Sequence, residues 1–341
     1  MNTRFHLNKF LATGVGSLPH TCPKEACDVI FSCLKDDIPY WPQLPRRDFK
    51  ENMYVQYSYG LPGVVIDEAA KQIYIDTQKN SYNKEVESAY EHYLAEDFDY
   101  FAISQDYAAG LYEFLHRLSS LTSGQYIKGQ TIGPISFGLT VTDQNKKASI
   151  YNQEFCDVLV KVLAMKTRWQ IRKLKSQIPS SKTKIIICID EPYLVSIGSS
   201  FFNIKGESVV MMLNELITAV HQEGAFAGIH CCGNTDWPLV LKTDIDILSF
   251  DGYNYRDTLF LYSRELDNFL KRGGTLAWGI VPTQAEGELP QGESLVKKMG
   301  RQITCSLVTP SCGLSGVPLE RAKEALTLTV SLARRLSSGK P

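Results

Sequence analysis

"KIIICIDEPYL", residues 184–194, is a nearly continuous apolar run that stops on two adjacent acids, Asp190 and Glu191, and then a proline. Such a run, rich in isoleucine and closed by a helix-breaking dipeptide, reads as a β-strand that hands two carboxylates to a loop. The pattern recurs along the chain: a short apolar run ends in small or polar residues, and a longer segment of helical character follows. Candidate strands of this kind lie at 11–16, 38–43, 126–133, 184–190, 225–231, 244–250, 274–280 and 303–310. Helical segments, with apolar positions recurring at three and four residue spacing, are clearest at 152–177, 207–223, 258–272, 291–302 and 318–336. Eight strands alternating with helices predict an α/β chain forming one (β/α)8 TIM barrel over residues 1–341. The stretch from about 58 to 125 exceeds a minimal barrel. "GVVIDEAAKQIYID" alternates like a hairpin and "AISQDYAAGLYEFLHRL" reads as a helix, so this stretch is expected to be an insertion after the second strand.

Composition narrows the function. With 44% hydrophobic residues, the 341-residue chain can bury a large core. Lys plus Arg (36) balance Asp plus Glu (37), and no basic run occurs, so the charge footprint of a nucleic-acid binder is missing and a small-molecule ligand is expected. The N-terminus has no apolar stretch of signal-peptide length, and no run approaches the ~20 apolar residues of a membrane span. A cytoplasmic protein with no membrane partner is therefore expected. Nine cysteines, an odd number, argue against a disulfide framework in that setting, and most read as small buried hydrophobes.

In barrels of this kind chemistry gathers where strands end and loops begin. Those ends carry Gly16 and Ser17, Pro42 to Arg47, Gly133 and Pro134, Asp190 and Glu191, His230 to Cys232, Asp251, Val281 to Gln284, and Cys312. In "GIHCCGNTDW" (228–237), His230 and Cys232 are two apart and share one face of a strand, while Cys231 faces the other way. Cys312, in "TPSCGL", follows the last strand, which adjoins the first in a closed barrel. Zinc favours imidazole nitrogen and thiolate in tetrahedral geometry, and a catalytic site leaves one position open. His230, Cys232 and Cys312 supply three such ligands, and Asp251 is a fourth ligand or stands behind them. Two other readings remain open: a packed strand end, and a vicinal Cys231–Cys232 redox pair that lacks the usual Cys-x-x-Cys spacing. One of Asp190 and Glu191 can bind a substrate ammonium group, or both can be solvated or cap a helix. Gly16 and Ser17 can offer backbone N–H groups to a carboxylate or simply form a turn. His20, His116 and His221 have no such company and read as structural.

"VGSLPHT", "IDEPYL", "HCC" and "TPSCGL" resemble, in the same order, motifs of the catalytic domain of cobalamin-independent methionine synthase, and the resemblance spans residues 11–336. It implies a (β/α)8 domain in which zinc binds the thiol of homocysteine and presents a thiolate to a methyl donor. Carried over by position, the zinc ligands are His230, Cys232 and Cys312, with Asp251 where the family has a glutamate. The carboxylate of homocysteine would meet Gly16, Ser17 and nearby backbone; its amino group would meet Asp190, with Glu191 alongside. Two departures fall on the folate side: "GPISFGLTV" has Phe137 and no tryptophan, and "GIVPT" puts Val281 at the family's histidine proton donor. They imply a methylcorrinoid donor, methylcobalamin or a methylated corrinoid protein, whose leaving group needs no proton. "HCCGN" is also similar to the coenzyme M methyltransferases of the uroporphyrinogen decarboxylase-like superfamily, so another thiol is the alternative, as is a folate-dependent methionine synthase. The chain lacks the Asp-x-His-x-x-Gly signature of a cobalamin-binding domain, so any corrinoid is expected to come from outside.

Overall fold

A computed structural model describes residues 5–119, 125–180, 182–199, 202–283, 287–300 and 305–339. The apolar runs become β-strands: β1 (Leu11–Ala12), β2 (Val64–Asp67), β3 (Gln72–Ile75), β4 (Tyr126–Ile132), β5 (Thr142–Asp143), β6 (Lys184–Asp190), β7 (Phe226–Cys231), β8 (Ile247–Phe250), β9 (Thr275–Val281) and β10 (Leu307–Pro310). Seven of them form one curled, wholly parallel sheet in the order β1-β10-β9-β8-β7-β6-β4. Neighbours from β6 to β10 are consecutive in the chain and joined through helices, as short right-handed crossovers require. The near-continuous apolar sequences of β6, β7 and β9 follow from burial on both faces: β7 is buried at every position.

The expected closed eight-stranded ladder is not formed. The candidate second strand, 38–43, lies between the sheet's two edges but forms no ladder with either: single bridges pair Tyr40 with Lys128 and Ser17 with Gln43. Ile38 N–H donates to Ala12 O (3.0 Å), Lys128 N–H to Pro39 O (2.9 Å) and Gln43 N–H to Gly16 O (3.1 Å). Pro39 and Pro42 have no N–H to give, so this segment cannot sustain a ladder on either side. The expected first strand is likewise cut to two residues, and the expected 258–272 helix is two, Gly252–Phe260 and Ser263–Lys271. The start of the last candidate strand, 303–304, lies outside the described residues.

Within 58–125, β2 and β3 pair as an antiparallel hairpin, and β5 adds to β3 in a second, three-stranded sheet. The helices Tyr82–Leu94 and Ala109–Leu118 follow the hairpin.

One residue at the start of each main strand, such as Leu11, Tyr126, Ile186, Phe226, Ile247 and Leu307, joins Ile38 and Phe5 in an apolar cluster distinct from the main core. Residues from all seven strands can meet only on the concave side of the sheet. Phe5 sits edge-on to Tyr126 and Phe226, with ring centroids 5.2 and 5.1 Å away, and plugs that end. Two-residue periodicity then carries the inward face of β7 from Phe226 through Gly228 to His230. No helix among the described residues is long and apolar enough to cross a membrane.

Candidate metal centre

Register sets the first layer of the site. In the parallel ladder Asp190 on β6 stands opposite His230 on β7, and His230 opposite Ser249 on β8, so the three side chains project side by side from the concave face. His230 is 3% exposed. Its Nδ1 lies 2.9 Å from Ser249 Oγ, whereas its Nε2 is buried with no hydrogen-bond partner. Cys232, two residues on, continues the inward face of the strand. Cys231 between them points into the wall: it is fully buried, its thiol donates to Gly233 O, and burial pushes its pKa up to about 12.

Cys312 arrives from the turn after β10, and glycines make the approach possible. A Cβ at Gly279 would stand 2.4 Å from Phe250 O and 2.9 Å from Ser311 Cα, so only glycine lets that turn lie against β9. The turn is pinned to the chain after β1: Leu314 N–H donates to Ser17 O (2.9 Å), and a Cβ on Gly313 would meet Ser17 Oγ at 2.3 Å. As a result the ligand atoms of His230, Cys232 and Cys312 all lie within 4.8 Å of one another, close enough to hold a metal ion. The thiols interact directly. Cys312 lowers the pKa of Cys232 through a side-chain hydrogen bond, and the same bond, with burial, pushes Cys312 well up. All nine cysteines are free.

The carboxylates divide by partner. Asp190 Oδ1 is buried without a hydrogen bond, and burial raises the acid to about 6 against the opposing pull of His230 and Lys128. Glu191 is committed elsewhere. Its Oε1 accepts from Ile135 N–H (3.0 Å) and its Oε2 from Ser136 N–H (2.7 Å) and Ser136 Oγ (2.6 Å), which caps the helix Pro134–Thr140 from a neighbouring strand. Both oxygens are used in capping that helix. Burial nevertheless raises this acid to about 7. Asp251 caps the helix Gly252–Phe260, accepting from Asn254 N–H and Nδ2, and is not brought into the cluster of three.

Gly16 and Ser17 stand on the same rim. The bare Cα of Gly16 faces the Gln130 side chain, with room for a Cβ only 3.0 Å from it, and Ser17 Oγ accepts from Ser315 N–H at 3.4 Å. Val281 ends β9 fully buried, and Gln284 lies outside the described residues. His221 pairs with Asp246 at 2.9 Å, while burial lowers the pKa of His20. The sequence reading missed Ser249, Lys128 and Gln130. Lys128 is buried, and its Nζ donates to Val15 O. The available signal was a polar residue inside an apolar strand, with Lys128 and Gln130 two apart and hence on one face.

Fold and site together define an α/β protein with a candidate histidine–dithiol metal centre at the C-terminal edge of a parallel sheet. No protein-family model matches the chain, and no curated protein matches it.

Proposed function

We propose that this protein is a zinc-dependent S-methyltransferase that forms methionine from homocysteine, with a methylcorrinoid, methylcobalamin or a methylated corrinoid protein, as donor. The observation that carries the reading is the convergence of a buried imidazole and two thiols whose ligand atoms lie within 4.8 Å of one another, with His230 Nε2 left without a hydrogen-bond partner. A nitrogen and two sulfurs fit zinc: two thiolates and a neutral imidazole balance its charge and leave a fourth position for substrate. Bound there, zinc supplies a substrate thiol in its thiolate form near neutral pH, where a free thiol with pKa ~8.5 is mostly protonated.

The protein's own residues do the rest. Asp190, ionised above its pKa of about 6, offers an unpaired Oδ1 to the substrate ammonium. Backbone at Gly16 and Ser17 receives the substrate carboxylate, and Glu191 holds the neighbouring helix in place. Asp251 stands behind the cluster, holding the loop after β8. The apolar plug below keeps water from the reacting sulfur. Val281, an apolar side chain at the strand end expected to hold a proton donor, favours a methyl donor whose leaving group stays unprotonated. We read the curled sheet with its bridging 38–43 segment as a (β/α)8 barrel, and the enzyme as cytoplasmic, with no nucleic-acid or membrane partner. Asp190 also favours an amino-acid thiol over coenzyme M, which has no ammonium group.

The test is metal analysis of purified protein together with methionine formation from homocysteine, using methylcobalamin and methyltetrahydrofolate in separate assays. Stoichiometric zinc and activity with methylcobalamin are expected; absence of zinc refutes the reading, and activity with folate alone refutes the donor.

A further inference from the structure

We propose that Ser249 is the positioning residue of the metal centre: it fixes which nitrogen of His230 is free to bind. The inference rests on the metal reading above but not on methyl transfer. A neutral imidazole carries one proton on one of two nitrogens, and only the bare nitrogen can take a metal. With Nδ1 turned to Ser249, Nε2 is the nitrogen left for a metal, so ligation requires the proton on Nδ1. Nδ1 is 2.9 Å from Ser249 Oγ, and Ser249 stands directly across the β7–β8 ladder from His230. Both residues are buried, at 6% and 3% exposure, so water does not compete for that proton.

Backbone pairing thus sets where the ring stands, and the hydroxyl provides the acceptor its Nδ1 proton needs. In the metal-binding form Oγ accepts from Nδ1–H. The same contact holds the ring so that Nε2, not Nδ1, is left for the metal. An alanine at 249 does neither. It strands Nδ1–H in a dry interior in the tautomer that binds metal, a penalty of the kind that weakens metal sites ten- to a hundredfold when the group behind a ligand is removed. Removing one buried oxygen leaves the strand packing intact.

The experiment titrates metal-free protein with Co2+, following the thiolate-to-metal and d–d absorption bands, and with Zn2+ against a chromophoric chelator. Ser249→Ala is expected to weaken both affinities ten- to a hundredfold while the melting temperature of the metal-free protein stays within a few degrees of the parent. Ser249→Thr, which keeps the oxygen, restores affinity to within about threefold. A long-range nitrogen–proton NMR spectrum of the parent loaded with zinc gives a second readout that needs no variant, and is expected to show the His230 proton on Nδ1. Parent-like affinity in Ser249→Ala, or a proton on Nε2 in the loaded parent, overturns the proposal. Parent protein that binds metal but makes no methionine defeats the methyl-transfer reading and leaves this one standing. An unaffected Ser249→Ala variant does the reverse.

Discussion

Gly133→Ala tests whether Glu191 is a structural acid. Gly133 sits at φ −86° and ψ 155°, a conformation alanine adopts freely, so the substitution brings no backbone strain. What it brings is a methyl group: a Cβ there would lie 2.0 Å from Glu191 Oε1 and 2.2 Å from its Cδ. The carboxylate has to leave, and with it go the bonds from Ile135 N–H, Ser136 N–H and Ser136 Oγ. Pro134, first in that helix, has no N–H, so Ile135 and Ser136 supply the end's exposed donors, and Glu191 is their cap. Three buried groups left unsatisfied at ~1–3 kcal/mol each make the loss about 3–9 kcal/mol. Glu191→Ala should lose a similar amount, and adding Gly133→Ala to it should lose nothing more, because the methyl then enters the space the carboxylate vacated. Urea unfolding, with midpoints compared at constant m, measures all four corners of this cycle. Additive losses in the double variant would refute the argument and release Glu191 for a role in binding.

Four further outcomes follow from the geometry. His230→Ala, Cys232→Ser and Cys312→Ser should each abolish stoichiometric zinc, measured by elemental analysis after gel filtration, and a chelator should lower the parent's melting temperature but not theirs. Cys231→Ala should keep the metal and lose on the order of 1 kcal/mol from a small cavity in the wall, seen as a lower urea midpoint with unchanged zinc content. Asp190→Asn should raise the KM for homocysteine at least tenfold while leaving zinc binding intact, as steady-state kinetics on the zinc-loaded variant would show. For pH, Glu191 is raised from the ordinary ~4.5 to about 7, so the folded state prefers its protonated form. Its contribution to stability is full below about pH 4.5, fades as pH rises through 7, and totals roughly 3 kcal/mol. Glu191→Gln should flatten the stability profile over that window in pH-dependent urea melts.

Much of the architecture is written locally. A strand buried on both faces must be apolar almost throughout, so β6, β7 and β9 stand out in the sequence, and the helices between them show their spacing. The alternation of a strand likewise places His230 and Cys232 on one face and Cys231 on the other before any fold is known. Closure of the sheet was not legible in this way. Whether 38–43 completes a ladder depends on which N–H groups its neighbours need, and Pro39 and Pro42 withhold two of them. Nor does "DEP" say which acid caps a helix and which faces the site. Glu191 found its donors on a helix some fifty-five residues earlier in the chain, whereas Asp190 was left with an unpaired oxygen beside His230. Ser249, an ordinary polar residue in an apolar run, gained meaning only when the ladder set it opposite His230. The sequence by itself determined faces and spacings, because these follow from the geometry of a single strand. The tertiary structure decided partners, because a hydrogen bond is chosen among atoms that only the completed fold brings within 3 Å.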